Sequence, residues 1–402
     1  MVRSQNGRFD RDSIATSKSR LSSLRADSGV VRDRGRAKIK RLQSSLPLYI
    51  PSRHPVGREF TFATGVDLAA EADGVDCREV LPSREVPTGD QSFILAPPLH
   101  AFAIQPSRLV TDSVLFRGVI TNDDVVIIDV SVDSRGASGH WPSFSRLQRF
   151  PSSIQLGDAV TLLTGGGGAT NYAHWLYDVL PRFHLLNQAG LIRANSYYIV
   201  PPLDREFKLA TLTRLGIDPE RCVEIGGPAL IEAARLSAVS GHRNHGRVEP
   251  WIPEFLRAAF LREGSQTGRR IYVNRRDTRL RRVLNEGQLE SALAARGFVS
   301  ISASDYDFQE KMDFYSSSDI VVAPFGAGLS NIAFCPPGAQ IVELQGDDWS
   351  NSFYEDIARG AGLEYRAVKA FRTASSPLLP DIARHLEVDV ERVIAVVDSI
   401  MP

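Results

Sequence analysis

His174 and Asp178 stand four residues apart behind a run of four glycines, in TLLTGGGGATNYAHWLYDVLPRFHLL, residues 161–186. On a helix that spacing puts both side chains on one face, where a histidine and a carboxylate can handle a proton as a general base. If Asp178 takes the proton, His174 orients it; if His174 takes it, Asp178 holds its tautomer. The glycines are not a phosphate loop, because no Lys-Ser/Thr follows and Thr170 fills the sixth place, where GxGxxG has glycine. They read as a tight strand exit that lets backbone approach a ligand, with Thr170 or Asn171 as N-cap of the next helix. Tyr172, Trp175, Val179 and Phe183 trace its apolar stripe, and Pro181 is expected to kink or end it. A metal is not expected: two ligands at i,i+4 need a third, and His242 and His245 lie in a loop with no fixed relation to them. Asp305 to Asp307 (DYD) could resemble a cation-holding acidic pair, but Asp307 and Glu310 fit a capping box.

A second constellation is RRIYVNRRDTRLRRVLNEGQ, where seven arginines (269, 270, 275, 276, 279, 281 and 282) surround the end of an expected strand. A helix follows, with Asn285 as cap and Gln288 at its third position. Forked, permanently charged guanidinium groups on such a loop suit a diphosphate. Arg275, Arg276 and Arg282 are nearest the strand exit and the helix start. The third is DIVVAPFGAGLSNIAFCPPGAQIVELQ. Here a buried strand runs into Gly326, Ala327 and Gly328, whose small side chains expose the N–H groups opening a short helix through Leu329, Ser330 and Asn331, an anion site. The next strand carries Glu343 to the same edge, to grip ribose hydroxyls or to pair with an arginine.

These residues need elements that hold them at one edge. After residue 157 strand and helix alternate: AVTLLT, a helix over 171–188, SYYIV, DREFKLATLTRLG, then strands near CVEI and RLSAVS. A second series runs from RRIYVNR to EYRAV. Such alternation means parallel βαβ units, and two Rossmann-like halves bind ligand at the carboxyl ends of their strands. The predicted fold is therefore α/β. It comprises a basic, disordered tail over 1–45, a first Rossmann-like domain with a β-rich antiparallel or irregular lead-in over 46–262, and a second over 263–375. Residues 376–402 form a helix across the junction, with Ile382, Leu386, Val390 and Val393 on one stripe.

Composition sets the outer limits. The chain has 402 residues and is 43% hydrophobic, enough for more than one core. Lys plus Arg and Asp plus Glu both total 47, yet residues 1–45 hold twelve basic against four acidic residues. That tail is too polar to order itself, and contact with anionic lipid is one use for it; nothing downstream supports nucleic acid. No apolar run approaches the roughly 20 residues that span a bilayer, and no signal-peptide core opens the chain, so a cytoplasmic location is expected. Cys77, Cys222 and Cys335 are scattered and read as reduced thiols.

Together the strings NYAHWLYDVLPR, NRRDTRLRRVLNE and FGAGLSNIAFCPPGAQIVEL, in this order, resemble the family 61 glycosyltransferases. The resemblance covers roughly residues 110–370. It implies facing GT-B-type domains, a nucleotide-diphosphate sugar bound by the second, and acceptor and catalytic groups from the first. It also implies inversion at the anomeric carbon with neither metal nor cofactor. Under it His174 and Asp178 supply the base, while Gly166, Gly167, Gly168, Asn171 and Trp175 form the acceptor side. Arg275, Arg276, Arg282, Gly326 to Asn331 and Glu343 hold the donor. Family members commonly have His before GAG, where this chain has Phe325, so a phosphate or base contact there is missing. The expected protein is a bacterial hexosyl- or pentosyltransferase acting on a capsular or exopolysaccharide, or a lipid-linked saccharide. A GT-B-like pyruvyl transferase and a non-catalytic nucleotide-sugar- or partner-binding protein are the alternatives.

Overall fold

The computed structural model describes residues 60–401 apart from 72, 88–92, 113–115, 134–152, 165–166, 243–246, 263–267, 349–350 and 374–383. The basic tail, Gly166 and His245 lie outside the described residues. What is described is a mixed α/β protein built on two large sheets, one for each half of the chain.

The first sheet has eleven strands among the described residues. At its centre Ser153–Thr161 runs parallel to Tyr197–Val200 on one side and to Ala229–Val239 on the other. Its last four residues are buried, as is usual for a parallel strand covered on both faces. Ala229–Val239 then pairs antiparallel with Leu99–Ile104 and with Ser107–Thr111. Much of the β-rich lead-in thus joins the same sheet, because the eleven-residue Ala229–Val239 is long enough to bind it there, while Arg84–Pro87 and Phe93–Ala96 pair with each other apart from it.

The second sheet orders its strands Val299–Ser302, Arg269–Asn274, Ser318–Pro324, Gln340–Gly346 and Glu364–Arg372, all parallel, with Leu386–Glu387 antiparallel at the edge. The chain leaves Arg269–Asn274 toward one side and returns on the other, which makes the gap between Asn274 and Pro324 a topological switch point. Ser153–Thr161 and Ala229–Val239 form a second one. Open α/β sheets take their ligands beyond the carboxyl ends of the strands at such points, and both sequence motifs lie there.

A single apolar cluster runs under both sheets. It joins Leu162, Trp175, Leu176 and Tyr177 of the first half to Ile271, Val273, Phe308, Leu329 and Tyr354 of the second. The C-terminal segment differs from expectation. Its helix is Val390–Ile400 only, Leu386 belongs to a strand, and Val393 and Val397 pack with Tyr272, Leu289 and Leu293 on the outer face of the second sheet rather than across the junction. Ile382 lies outside the described residues. Asn285 does not cap its helix with its side chain: its amide bonds both backbone groups of Val388, at 2.7 and 3.1 Å. Asp307 and Glu310 do form the expected capping box. The three cysteines are free. No helix among the described residues is long and apolar enough to cross a membrane.

Candidate active site

The segment after the glycines starts as Asn171 dictates: its Oδ1 accepts from the N–H groups of Ala173 at 2.8 Å and His174 at 3.4 Å. Asn171, not Thr170, is the cap. Pro181 neither ends nor breaks the helix, which continues to Gln188 through a π turn over Trp175–Val179. The cause is local. Pro181 has no N–H for the carbonyl four residues back, on Tyr177, and that carbonyl instead contacts Nε2 of buried His242 at 2.8 Å. The Leu180 N–H reaches five residues back, to Trp175. Single π turns cluster at functional sites, and Asp178 lies in this one.

Asp178 Oδ2 is 2.5 Å from His174 Nδ1. A carboxylate only accepts, so Nδ1 carries the hydrogen and Nε2 is left as the basic nitrogen. The His174 side chain is 39% exposed and that of Asp178 19%, so histidine is the outer member of the pair.

Behind them two buried arginines, not singled out from the sequence, finish the strand ends. Arg117 donates to the Leu163 carbonyl, and Arg182 to that of Val239 at 2.9 Å. Burial lowers the pKa of both; for Arg182, which stays near 10, the Asp178 charge opposes the fall, whereas the Arg182 charge deepens it for Arg117. A lone arginine in the apolar run FRGVIT was the available sign. Buried Lys208 likewise holds the end of the glycine turn, donating to Ala169 O at 2.6 Å, Pro202 O at 2.8 Å and Asp204 Oδ1 at 2.9 Å.

The remaining acceptor-side residues fall differently. Gly167 opens a short 3-10 turn, Gly167–Ala169. A side chain on Gly168 would come within 2.7 Å of Thr164 and Val179, so protein atoms already fill the space the glycine makes. Trp175 is fully buried with its indole N–H on Thr211 at 2.9 Å, which makes it a packing residue out of an acceptor's reach.

At the other switch point, half-buried Arg275 brings the tip of its guanidinium against Gly326: a Cβ there would be 1.4 Å from its Nη1. Arg281 is a non-glycine residue at φ 56°, a conformation that costs about 1–2 kcal/mol. That backbone sets its guanidinium 5.1 Å from the Phe325 ring centroid. Phe325, the departure from the family pattern, thereby seats an arginine that the sequence did not distinguish from its neighbours. Burial depresses both guanidinium pKa values, that of Arg275 to about 10, and each arginine is disfavoured by a nearby cation. Arg276 is committed elsewhere, to Glu286 at 3.2 Å and to Glu290. Arg282 binds the carbonyls of its own loop, Thr278 at 2.6 Å and Arg276 at 3.3 Å. Of the three arginines favoured from sequence, only Arg275 meets the Gly326 turn.

Tyrosines fasten that turn, and two of them come from the His174 helix. Tyr172 OH donates to Asn331 Oδ1, Tyr177 OH to Ser330 O at 2.8 Å, Tyr315 OH to Gly328 O at 2.8 Å and Tyr354 OH to Gly326 O at 2.6 Å. Burial raises the pKa of all four, so they remain donors. Leu329, Ser330 and Asn331 are buried behind these bonds, which leaves Ala327 and Gly328 as the accessible part of the expected anion site. Among the described residues no group of three His, Cys, Asp or Glu is placed to hold a metal ion.

Glu343 corrects another expectation. It sits three residues before the end of Gln340–Gly346, is fully buried, and accepts from Tyr365 OH at 2.5 Å, so it neither reaches a ribose nor pairs with an arginine. Burial pushes its carboxyl from an ordinary 4.5 to about 7, against the opposing Tyr365 bond. The folded chain therefore holds this proton to higher pH than the unfolded one. Its contribution to stability is fully present below about pH 4.5 and is lost as pH rises to 7, by about 3 kcal/mol at ~1.4 kcal/mol per unit. Glu343→Gln is expected to flatten that part of the stability curve, as urea titrations between pH 4.5 and 7 would record.

With this geometry in view, comparison with known proteins gives the class first: the chain carries a glycosyltransferase domain. Residues 172–342, from Tyr172 on the His174 helix to Val342 in the strand that carries Glu343, match the family model described as Glycosyltransferase 61. It is also similar to the EGF domain-specific O-linked N-acetylglucosamine transferases. That of Gallus gallus is 30% identical over 134 residues, 32% of this chain and 25% of the relative. That of Drosophila melanogaster is 35% identical over 98 residues, 24% and 18%. The match spans about a quarter of the length of these curated relatives, which are animal proteins.

Proposed function

We propose that this protein transfers a sugar from a nucleotide diphosphate to an acceptor hydroxyl in one displacement, with inversion and without a metal. The observation that carries the reading is the direct tie between the two switch points: the helix bearing His174 and Asp178 bonds, through Tyr172 and Tyr177, the turn on which Arg275 lies. In this reading the two halves act as facing GT-B-type domains. The diphosphate rests against Arg275, Arg281 and the Ala327–Gly328 backbone, whose fixed charges and dipoles stabilise it as it leaves. His174 Nε2 takes the acceptor proton while Asp178 holds Nδ1–H, and the acceptor oxygen attacks the anomeric carbon opposite the departing phosphate.

The relatives' names make N-acetylglucosamine the first donor sugar to test. A polysaccharide or glycolipid hydroxyl, met in the cytoplasm or at the membrane surface, is our reading of the acceptor; a folded EGF domain is the comparison. Purified protein would be incubated with UDP- and GDP-sugars and each acceptor, with transfer followed by product mass and binding by calorimetry. Binding with transfer supports the reading. Neither nucleotide binding nor transfer across the panel would remove it.

A further inference from the structure

Lys311 lies in the first turn of Phe308–Ser316, a helix fixed at its start from both halves of the molecule. Asp307 and Glu310 box it from within, and the Phe308 N–H donates to Glu206 Oε2 of the first half at 3.0 Å. The Lys311 ammonium stands 5.2 Å from the centroid of the Tyr172 ring. Tyr172 is a braced platform: Phe207 packs edge-on at 4.8 Å, and its hydroxyl is held by Asn331.

Lys311 is half-buried, and among the described residues its ammonium makes neither a hydrogen bond nor an ion pair. Glu206, Asp307, Asp277 and Glu310 act on it through space, and burial nevertheless holds its pKa below the ordinary value. An ammonium has three donors to satisfy, and withdrawing it from water without an acceptor is costly unless something else supplies one.

We propose that Lys311 is a donor-binding residue whose ammonium, seated on Tyr172 where the two halves meet, receives the diphosphate oxygen that leaves the sugar. The assignment rests on the function proposed above and follows from position. Tyr172 precedes His174 by two residues on the base-bearing helix. Asp277, two residues beyond Arg275 on the donor loop, acts electrostatically on both Arg275 and Lys311. The Lys311 helix follows Val299–Ser302, the strand paired in parallel with Arg269–Asn274, so Lys311 stands on Tyr172 near the sheet edge from which the arginine loop leaves. In the reaction the bond from the anomeric carbon to the phosphate oxygen breaks and its electron pair stays on that oxygen. The acceptor oxygen forms the new bond, and its proton goes to His174. The charge appearing on the phosphate oxygen meets Lys311.

The test is calorimetric titration of UDP and GDP, each beside its monophosphate, into the native chain, Lys311→Met and Lys311→Arg. Removing one charge-assisted contact is expected to weaken the better-bound diphosphate about 10–100-fold in Lys311→Met, while the matching monophosphate changes less than about threefold and Lys311→Arg recovers most of the loss. Equal diphosphate binding by native chain and Lys311→Met, or an equal loss for mono- and diphosphate, overturns the assignment alone. Failure of the native chain to bind either diphosphate removes the function reading, and the assignment with it.

Discussion

A His174→Ala variant is expected to bind nucleotide as the native chain does yet transfer sugar about 10²–10⁴-fold more slowly, the usual contribution of a positioned general base. The expectation comes from the order of the pair. His174 is the more exposed member and bonds Asp178 through Nδ1, so Nε2 meets the acceptor while Asp178 stays behind. Asp178→Asn keeps the shape of that contact but removes the carboxylate, and should lower kcat less than His174→Ala does, with little change in donor KM. Single-turnover rates with both substrates saturating would compare the two. If Asp178→Asn lowers kcat about 100-fold or more while His174→Ala keeps more than about a third of native kcat, the roles are reversed and the carboxylate takes the proton. If both variants keep native kcat, this helix is not the catalytic one.

The second large effect is expected at Gly326. Its φ of 168° is extended backbone open to any residue, so conformational freedom does not explain a glycine there. The reason is Arg275, whose guanidinium occupies the volume a methyl group would need, with Nη1 at 1.4 Å and Cζ at 2.6 Å from the would-be Cβ. The conflict involves the far end of a flexible side chain, so Gly326→Ala should fold and should move Arg275 off its seat. Diphosphate affinity is expected to fall about 10–100-fold. Arg275→Ala should do the same, and the double variant should lose little beyond either single one, because both remove one contact. Native affinity in Gly326→Ala would show that the Arg275 position does not matter for binding; additive losses would separate the glycine from the arginine.

What the sequence made legible is what depends on neighbours along the chain. Alternating strands and helices, a cap at Thr170 or Asn171, which the structure gives to Asn171, and the Asp307–Glu310 box are all decided within a few residues. So is the helical spacing that brings His174 to Asp178. What escaped depends on distant partners or on backbone angles. Asn285 has the local grammar of a cap, but its amide finds Val388 from 103 residues away. Seven arginines around one strand look alike until φ at 281 and the absence of a side chain at 326 separate Arg281 and Arg275 from the rest. Glu343 reads as a rim residue because a strand's end is clear in sequence, whereas its depth below that end is set by Tyr365 across the sheet. Tyr172 reads as an ordinary stripe residue and Tyr177 is not singled out, and only the packed structure shows their hydroxyls reaching the second half.

The apolar cluster that joins Trp175 and Tyr177 to Phe308, Leu329 and Tyr354 also bears on how such proteins can be recombined. Crossovers between distant relatives succeed where few contacts span the splice point. Here a chimaera that took its donor half from another sequence would set two unrelated interlocking surfaces against each other in the buried apolar cluster that both halves share. New sugar preferences are therefore more accessible by grafting the exposed turns that follow the strands than by swapping halves.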